Sequence, residues 1–152
     1  MRILALDVGT KTIGVAVSDE LGIAAHGITT IKRSDLRRDL EALRRIIDEY
    51  NPSEILVGVP YNVNGSVGRR GEAILKFAEE IKQTFPVPVK LWDESFTTVE
   101  AEKVLIEADL SRRKRKKVID KMAAVFILEG YLDHKRNERT KSATEDTEHT
   151  ES

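Results

Sequence analysis

The chain has no cysteine. That excludes a disulfide framework and any zinc–thiolate centre, and it suits a reducing compartment. No apolar run approaches the ~18 residues that a membrane span needs. The opening residues enter a strand pattern directly, without the layout of a secretory leader. A cytoplasmic protein with no membrane partner is the expectation. The three histidines, His26, His134 and His149, show no metal-ligand spacing. Net charge is nearly absent too, at −1 over 152 residues.

That near-neutrality conceals an uneven distribution. Residues 138–152 carry five acidic side chains against two basic ones, a net of −3, which leaves +2 on residues 1–137. Six consecutive basic residues, Arg112, Arg113, Lys114, Arg115, Lys116 and Lys117, form one cluster. A polyanion responds to clustered charge more than to net charge. The length suits one domain with a single sizeable core over residues 1–137. The final stretch, 138–152, is polar, acidic and expected to be disordered.

The apolar pattern orders the chain as βββαβαβαα. Arg2–Val8, Thr12–Ser18 and Ala24–Ile31 read as three consecutive strands, the first two joined as a hairpin through Gly9. Ser34 is positioned to cap a helix over Asp35–Tyr50, with Leu36, Leu40, Leu43, Ile46 and Ile47 on one stripe. Glu54–Val59 reads as a buried strand ended by Pro60, and Asn62–Gly71 as a polar loop. A helix over Arg70–Thr84 and a strand over Val87–Trp92 follow. Two more helices are expected, over Thr98–Ala108 with Thr97 as its cap and over Val118–His134. Right-handed crossovers place strand four beside strand one and strand five beside strand four. The predicted class is therefore α/β: a mixed five-stranded sheet of order 3-2-1-4-5, its first three strands antiparallel, with helices on both faces.

Asp7 interrupts the apolar run Ile3-Leu4-Ala5-Leu6-Asp7-Val8. Burying a carboxylate costs several kcal/mol, on the order of a whole ion pair, unless it is paired, hydrogen-bonded or bound to a metal. Asp93 and Glu94 end the fifth strand, and Asp120 begins the last helix beside Ala123 and Ala124. The topology draws these acids toward one edge of the sheet, where α/β sheets place their sites. Carboxylates that converge repel unless a cation lies among them, and hard oxygen donors select Mg²⁺ or Mn²⁺. Such ions activate water and stabilise a leaving oxygen in phosphodiester cleavage. The alternative reading of each acid is structural: Asp93 as a cap for the next turn, Asp120 as the partner of a nearby base.

Five segments then occur in a telling order: Asp7-Val8-Gly9-Thr10-Lys11-Thr12-Ile13-Gly14-Val15-Ala16, Val57-Gly58-Val59-Pro60, Asn64-Gly65, Asp93-Glu94-Ser95 and Asp120-Lys121-Met122-Ala123-Ala124. Over residues 1–135 the chain resembles the YqgF family, also called the Holliday junction resolvase or pre-16S rRNA nuclease family. The resemblance implies a ribonuclease H-like fold and a bacterial cytoplasmic nuclease that matures the 5′ end of small-subunit rRNA. It implies that Asp7, Glu94 and Asp120 are the catalytic acids and metal ligands, with Asp93 a further ligand candidate. Two positions depart from the family pattern. Ser95 stands where the family commonly has Arg, and Lys121 where it more typically has a small residue.

Nucleic acid is the expected partner, with pre-rRNA favoured over branched DNA and ribosomal particles as possible company. Arg112 to Lys117 abut the helix that carries Asp120 and suit a phosphate backbone. Arg69, Arg70 and Lys11 are further phosphate-contact candidates, each with surface charge as its alternative. Trp92 and Phe96 suit core packing more than base stacking. Three other functions compete. The same acids suit Holliday junction resolution. Asp7-x-Gly9-Thr10 resembles the phosphate loop of actin-like ATPases and sugar kinases, but those need a second lobe that this length does not supply. A non-catalytic RNA- or ribosome-binding module accounts for the basic run but leaves Asp7 and Asp120 unexplained.

Overall fold

The computed structural model describes residues 1–94 and 122–138. The sheet begins as a hairpin. β1 (Ile3–Val8) and β2 (Thr12–Ser18) pair antiparallel, with Leu6 opposite Val15 and Asp7 opposite Gly14. β3 (Ala25–Lys32) continues the meander along β2, with an irregularity between Val15 and Ala16. α1 (Leu36–Tyr50) then crosses one face and delivers β4 (Glu54–Val59) parallel to β1. α2 (Arg69–Thr84) crosses next and delivers β5 (Val89–Asp93) parallel to β4. The strand order is β3-β2-β1-β4-β5, as the crossover argument predicts.

Strand alternation divides the core into two layers. Leu4, Leu6 and Val8 of β1 and Ile55, Val57 and Val59 of β4 face α1 and α2, where they meet Leu43, Ile46, Ile47, Ile74 and Phe77. Ile3, Ala5 and Leu56 face the other way, toward Ala124, Ile127, Leu128 and Tyr131 of a helix that spans residues 122–138. Helices thus cover both faces, and β1 and β4 are buried on each side. Ile127 and Leu128 are 1% and 0% exposed, and burial of each contributes roughly 1.5–3 kcal/mol.

A polar lock fixes the register of helix 122–138. Lys135 Nζ donates to Glu54 Oε1 at 3.0 Å, and Lys90 Nζ lies 3.2 Å from Glu54 Oε2. Lys90 Nζ also reaches the Tyr131 hydroxyl at 3.1 Å, and the Tyr131 ring meets Trp92 edge-on with centroids 5.5 Å apart. Trp92 is therefore a packing residue. Burial pushes the Glu54 carboxyl up, but hydrogen bonds from Lys135, Lys90 and Tyr131 outweigh that and hold it below its ordinary 4.5. Lys135 pins the helix at the start of β4, while Ile127 reaches Gly58 near the strand's end. The helix therefore runs antiparallel to β4, and its first described turn lies toward the strand ends that carry the acids.

Several boundaries differ from the sequence expectation. Asp35, not Ser34, caps α1: its carboxylate accepts from the Arg38 N–H at 2.9 Å. The Ser34 N–H is instead donated to Asp39 Oδ1 at 3.0 Å. Leu36 is 44% exposed and lies off the buried stripe. β5 starts at Val89 rather than Val87, because Pro88 has no N–H to give the ladder, although its carbonyl accepts from Ile55 at 2.8 Å. The expected helix over Thr98–Ala108, Phe96, the acidic 138–152 tail beyond Glu138 and the start of the last helix lie outside the described residues. Among the described residues, no helix is long and apolar enough to cross a membrane.

Candidate active site

Asp7 sits one residue before the end of β1, half-buried among neighbours that are fully buried. Its side chain belongs to the face of Ile3 and Ala5, the face that helix 122–138 covers. Its partner across β2 is Gly14. On the other side, the pairing of Leu6 with Val57 places Gly58 alongside it on β4. The carboxylate therefore rises from a floor whose lateral neighbours have no side chains.

Glu94 follows β5 directly and is 5% exposed. Its N–H donates to the Val59 carbonyl at 3.1 Å, which continues the β4–β5 ladder by one step. Alternation along β5 puts Trp92 and Glu94 on the face of Asp7, and Asp93 on the opposite face. The Asp7 and Glu94 carboxyls meet in a side-chain hydrogen bond. Arg70, in the first turn of α2, places Nη2 3.5 Å from Glu94 Oε1. Burial raises the Glu94 pKa above its ordinary 4.5; the Arg70 charge and the Asp7 hydrogen bond oppose this, and the Asp93 charge adds to it.

Gly58 makes this approach possible. A Cβ there would lie 2.9 Å from Glu94 Oε2 and 2.6 Å from Ile127 Cδ1. The cradle that holds Glu94 exists because residue 58 has no side chain.

Two carboxyls from different strands, in contact and partly withdrawn from water, share a proton or share a cation. Their hard oxygen donors fit a Mg²⁺- or Mn²⁺-type ion. Among the described residues no group of three possible ligands occurs, so the pair is what these residues supply. Asp120 lies outside the described residues, as do Arg112, Arg113, Lys114, Arg115, Lys116 and Lys117.

The structure thus brings Asp7, Glu94 and Arg70 together. Lys11 is exposed in the β1–β2 turn, at the same end of the sheet, and Arg69 is exposed at the first position of α2. In the sequence Gly58 figures only within the segment Val57-Gly58-Val59-Pro60 and has no assigned role in the site, although a glycine inside a buried strand is itself a sign of close approach. Sequence reasoning also passed over Arg33 and Asp39, which support the turn after Asp7. A wide groove lined by Arg2, Ser18, Asp19, His26 and Tyr50 lies at the other end of β1 and includes none of the paired acids.

Sheet order and helices on both faces define a ribonuclease H-like fold. A solved structure, Thermus thermophilus RuvC in complex with a Holliday junction substrate, shares the fold with a TM-score of 0.54 at 14% identity, covering 90% of this chain and 96% of that one. Residues 1–134 match the family model described as "RuvX: Holliday junction resolvase", and the chain belongs to that family. A relative from Thermoanaerobacter pseudethanolicus, named "Putative pre-16S rRNA nuclease", is 56% identical over 138 residues, covering 90% of this chain and 99% of its own. A relative of the same name from Clostridium kluyveri is 57% identical over 133 residues, covering 88% of this chain and 97% of its own.

Proposed function

We propose that this chain is a metal-dependent nuclease that hydrolyses phosphodiester bonds, and that its substrate is the 5′ region of pre-16S rRNA. One observation carries the chemistry: Asp7 and Glu94, from separate strands, meet at the sheet edge. The names of relatives that align over nearly their whole length support the substrate.

In this reading Asp7 and Glu94 hold Mg²⁺ or Mn²⁺, with Asp120 as the third acid and Asp93 as a lesser candidate. When bound, such an ion supplies Lewis-acid stabilisation of charge on phosphate and an activated water. Asp7 provides a fixed oxygen donor on a strand that cannot shift without breaking two ladders. Glu94, held against Asp7 and Arg70, would be the second oxygen donor to such an ion. Arg70, at the first turn of α2 beside Glu94, would supply a guanidinium to substrate phosphate. Lys11, Arg69 and the Arg112–Lys117 run contact the phosphate backbone, where they set position rather than sequence preference. In this reading the nuclease domain covers residues 1–137. The cytoplasm, where rRNA is processed, is the compartment this activity requires.

Holliday junction resolution is the second reading, favoured by the description of the matching family. Incubation of the protein with Mn²⁺ or Mg²⁺ and either a labelled pre-16S 5′ fragment or a four-way DNA junction separates the two. Metal-dependent cleavage of the RNA alone, lost in Asp7→Asn, supports processing. Paired symmetrical cuts in the junction support resolution. Cleavage of neither substrate, with retained RNA binding, replaces both with a binding module.

A further inference from the structure

The turn that follows Asp7 is held from outside at two points by one residue far along the chain, Arg33. Arg33 Nη1 donates to the Gly9 carbonyl at 2.7 Å, and the Arg33 N–H donates to the Lys11 carbonyl at 2.8 Å. The turn closes on itself through the Gly9 N–H to the Thr12 carbonyl, also at 2.8 Å. Arg33 is in turn fixed on two sides. Its Nε donates to Asp39 Oδ2 at 3.1 Å, and its guanidinium lies 4.8 Å from the centre of the Phe77 ring in the core. Asp39 is 2% exposed, and its other oxygen accepts the Ser34 N–H.

A cap for α1 explains only half of this arrangement, because Asp35 already caps the helix. Nor is a buried ion pair an efficient source of stability, since desolvation offsets most of its attraction. What the pair does supply is geometry: an arginine in the β3–α1 connection, held by a carboxylate of α1 and aimed at a carbonyl two residues after Asp7. Metal ligands need such support, because an error of about half an ångström in a ligand weakens the site.

We propose that Arg33, oriented by the buried Asp39 carboxylate, is a positioning residue that locks the β1–β2 turn and thereby aims Asp7 at Glu94 and their shared cation. This rests on the nuclease reading of Asp7. Neither residue touches substrate.

The test uses the full chain with Arg33→Gln and Arg33→Lys. Lysine keeps the charge but cannot bridge Asp39 and Gly9 together. Three measurements are made: amide hydrogen exchange at Gly9 without metal, Mn²⁺ affinity by calorimetry without nucleic acid, and single-turnover cleavage. The expected result for both variants is faster Gly9 exchange, Mn²⁺ affinity weaker by about 10–100-fold, a comparable fall in rate and an unchanged KM. Folded variants with wild-type exchange and Mn²⁺ affinity overturn the proposal. So does Arg33→Lys with wild-type behaviour, which would show that charge alone suffices, or a raised KM with an unchanged rate, which would make Arg33 a substrate contact. If the wild-type protein binds no Mn²⁺ and Asp7→Asn cleaves normally, the nuclease reading of Asp7 fails, and this inference fails with it.

Discussion

Replacing Gly58 by alanine tests the site and its packing together. The new Cβ would stand 2.6 Å from Ile127 Cδ1 and 2.9 Å from Glu94 Oε2, both inside any normal carbon contact. The backbone at residue 58 is an ordinary strand, so strain comes from neighbours alone. Ile127 is 1% exposed and packed on all sides, and Glu94 is held by Arg70 and Asp7. Neither can withdraw freely. Overpacking of this kind costs about 1–3 kcal/mol. For a domain of this size each kcal/mol lowers Tm by about 2–4 °C, so scanning calorimetry should show a fall of about 2–12 °C. Displaced Glu94 should lower metal-dependent cleavage by about 10–100-fold. The two effects separate in a double variant. Ile127→Val deletes Cδ1, the closer obstacle, but leaves Glu94 crowded. Alone it costs about 0.5–1.5 kcal/mol. In the Gly58→Ala background it should cost less or add stability, while cleavage stays low. Gly58→Ala with wild-type Tm and wild-type cleavage would refute the reasoning.

Three further outcomes follow from the same geometry. Glu54 has a depressed pKa, so its ionised form adds stability above its unfolded value near 4.5, and that contribution is lost as pH falls through the folded value. Urea unfolding should show Glu54→Gln less stable than wild type at neutral pH, with the gap closing in acid; a gap that is constant with pH would contradict the lock. Asp35→Ala should cost about 1 kcal/mol in urea unfolding through loss of the α1 cap, and Ser34→Ala well under half of that; equal losses would place the cap wrongly. Arg70→Ala should raise KM for RNA and lower the salt slope of RNA binding by about one phosphate contact; an unchanged slope would leave Arg70 as a partner of Glu94 only.

Much of this was legible in the chain. Asp7 stood out because it broke a run of buried apolar residues, and strand order followed from hairpin and crossover rules. The finer choices depended on contacts that periodicity does not carry. Asp93 and Glu94 are adjacent acids, and only the true end of β5, one residue beyond Trp92, assigns Glu94 to the face of Asp7. Ser34 and Asp35 are both good capping residues, and the choice between them turns on which one the Arg38 N–H can reach. Arg33 meets Gly9 across 24 positions, so no local pattern announces it. Gly58 was visible as a glycine in a strand, but its meaning needed Glu94 and Ile127 to arrive from other parts of the chain.

The central claim is that Asp7 and Glu94 act as one metal-holding unit. Single-turnover cleavage of the pre-16S 5′ fragment in Mn²⁺ by Asp7→Asn, Glu94→Gln and the double variant tests it most directly. The account predicts that each single substitution lowers the rate nearly as far as both together, because half a site holds no ion. Substantial activity in either folded single variant, or losses that simply multiply in the double variant, would contradict it.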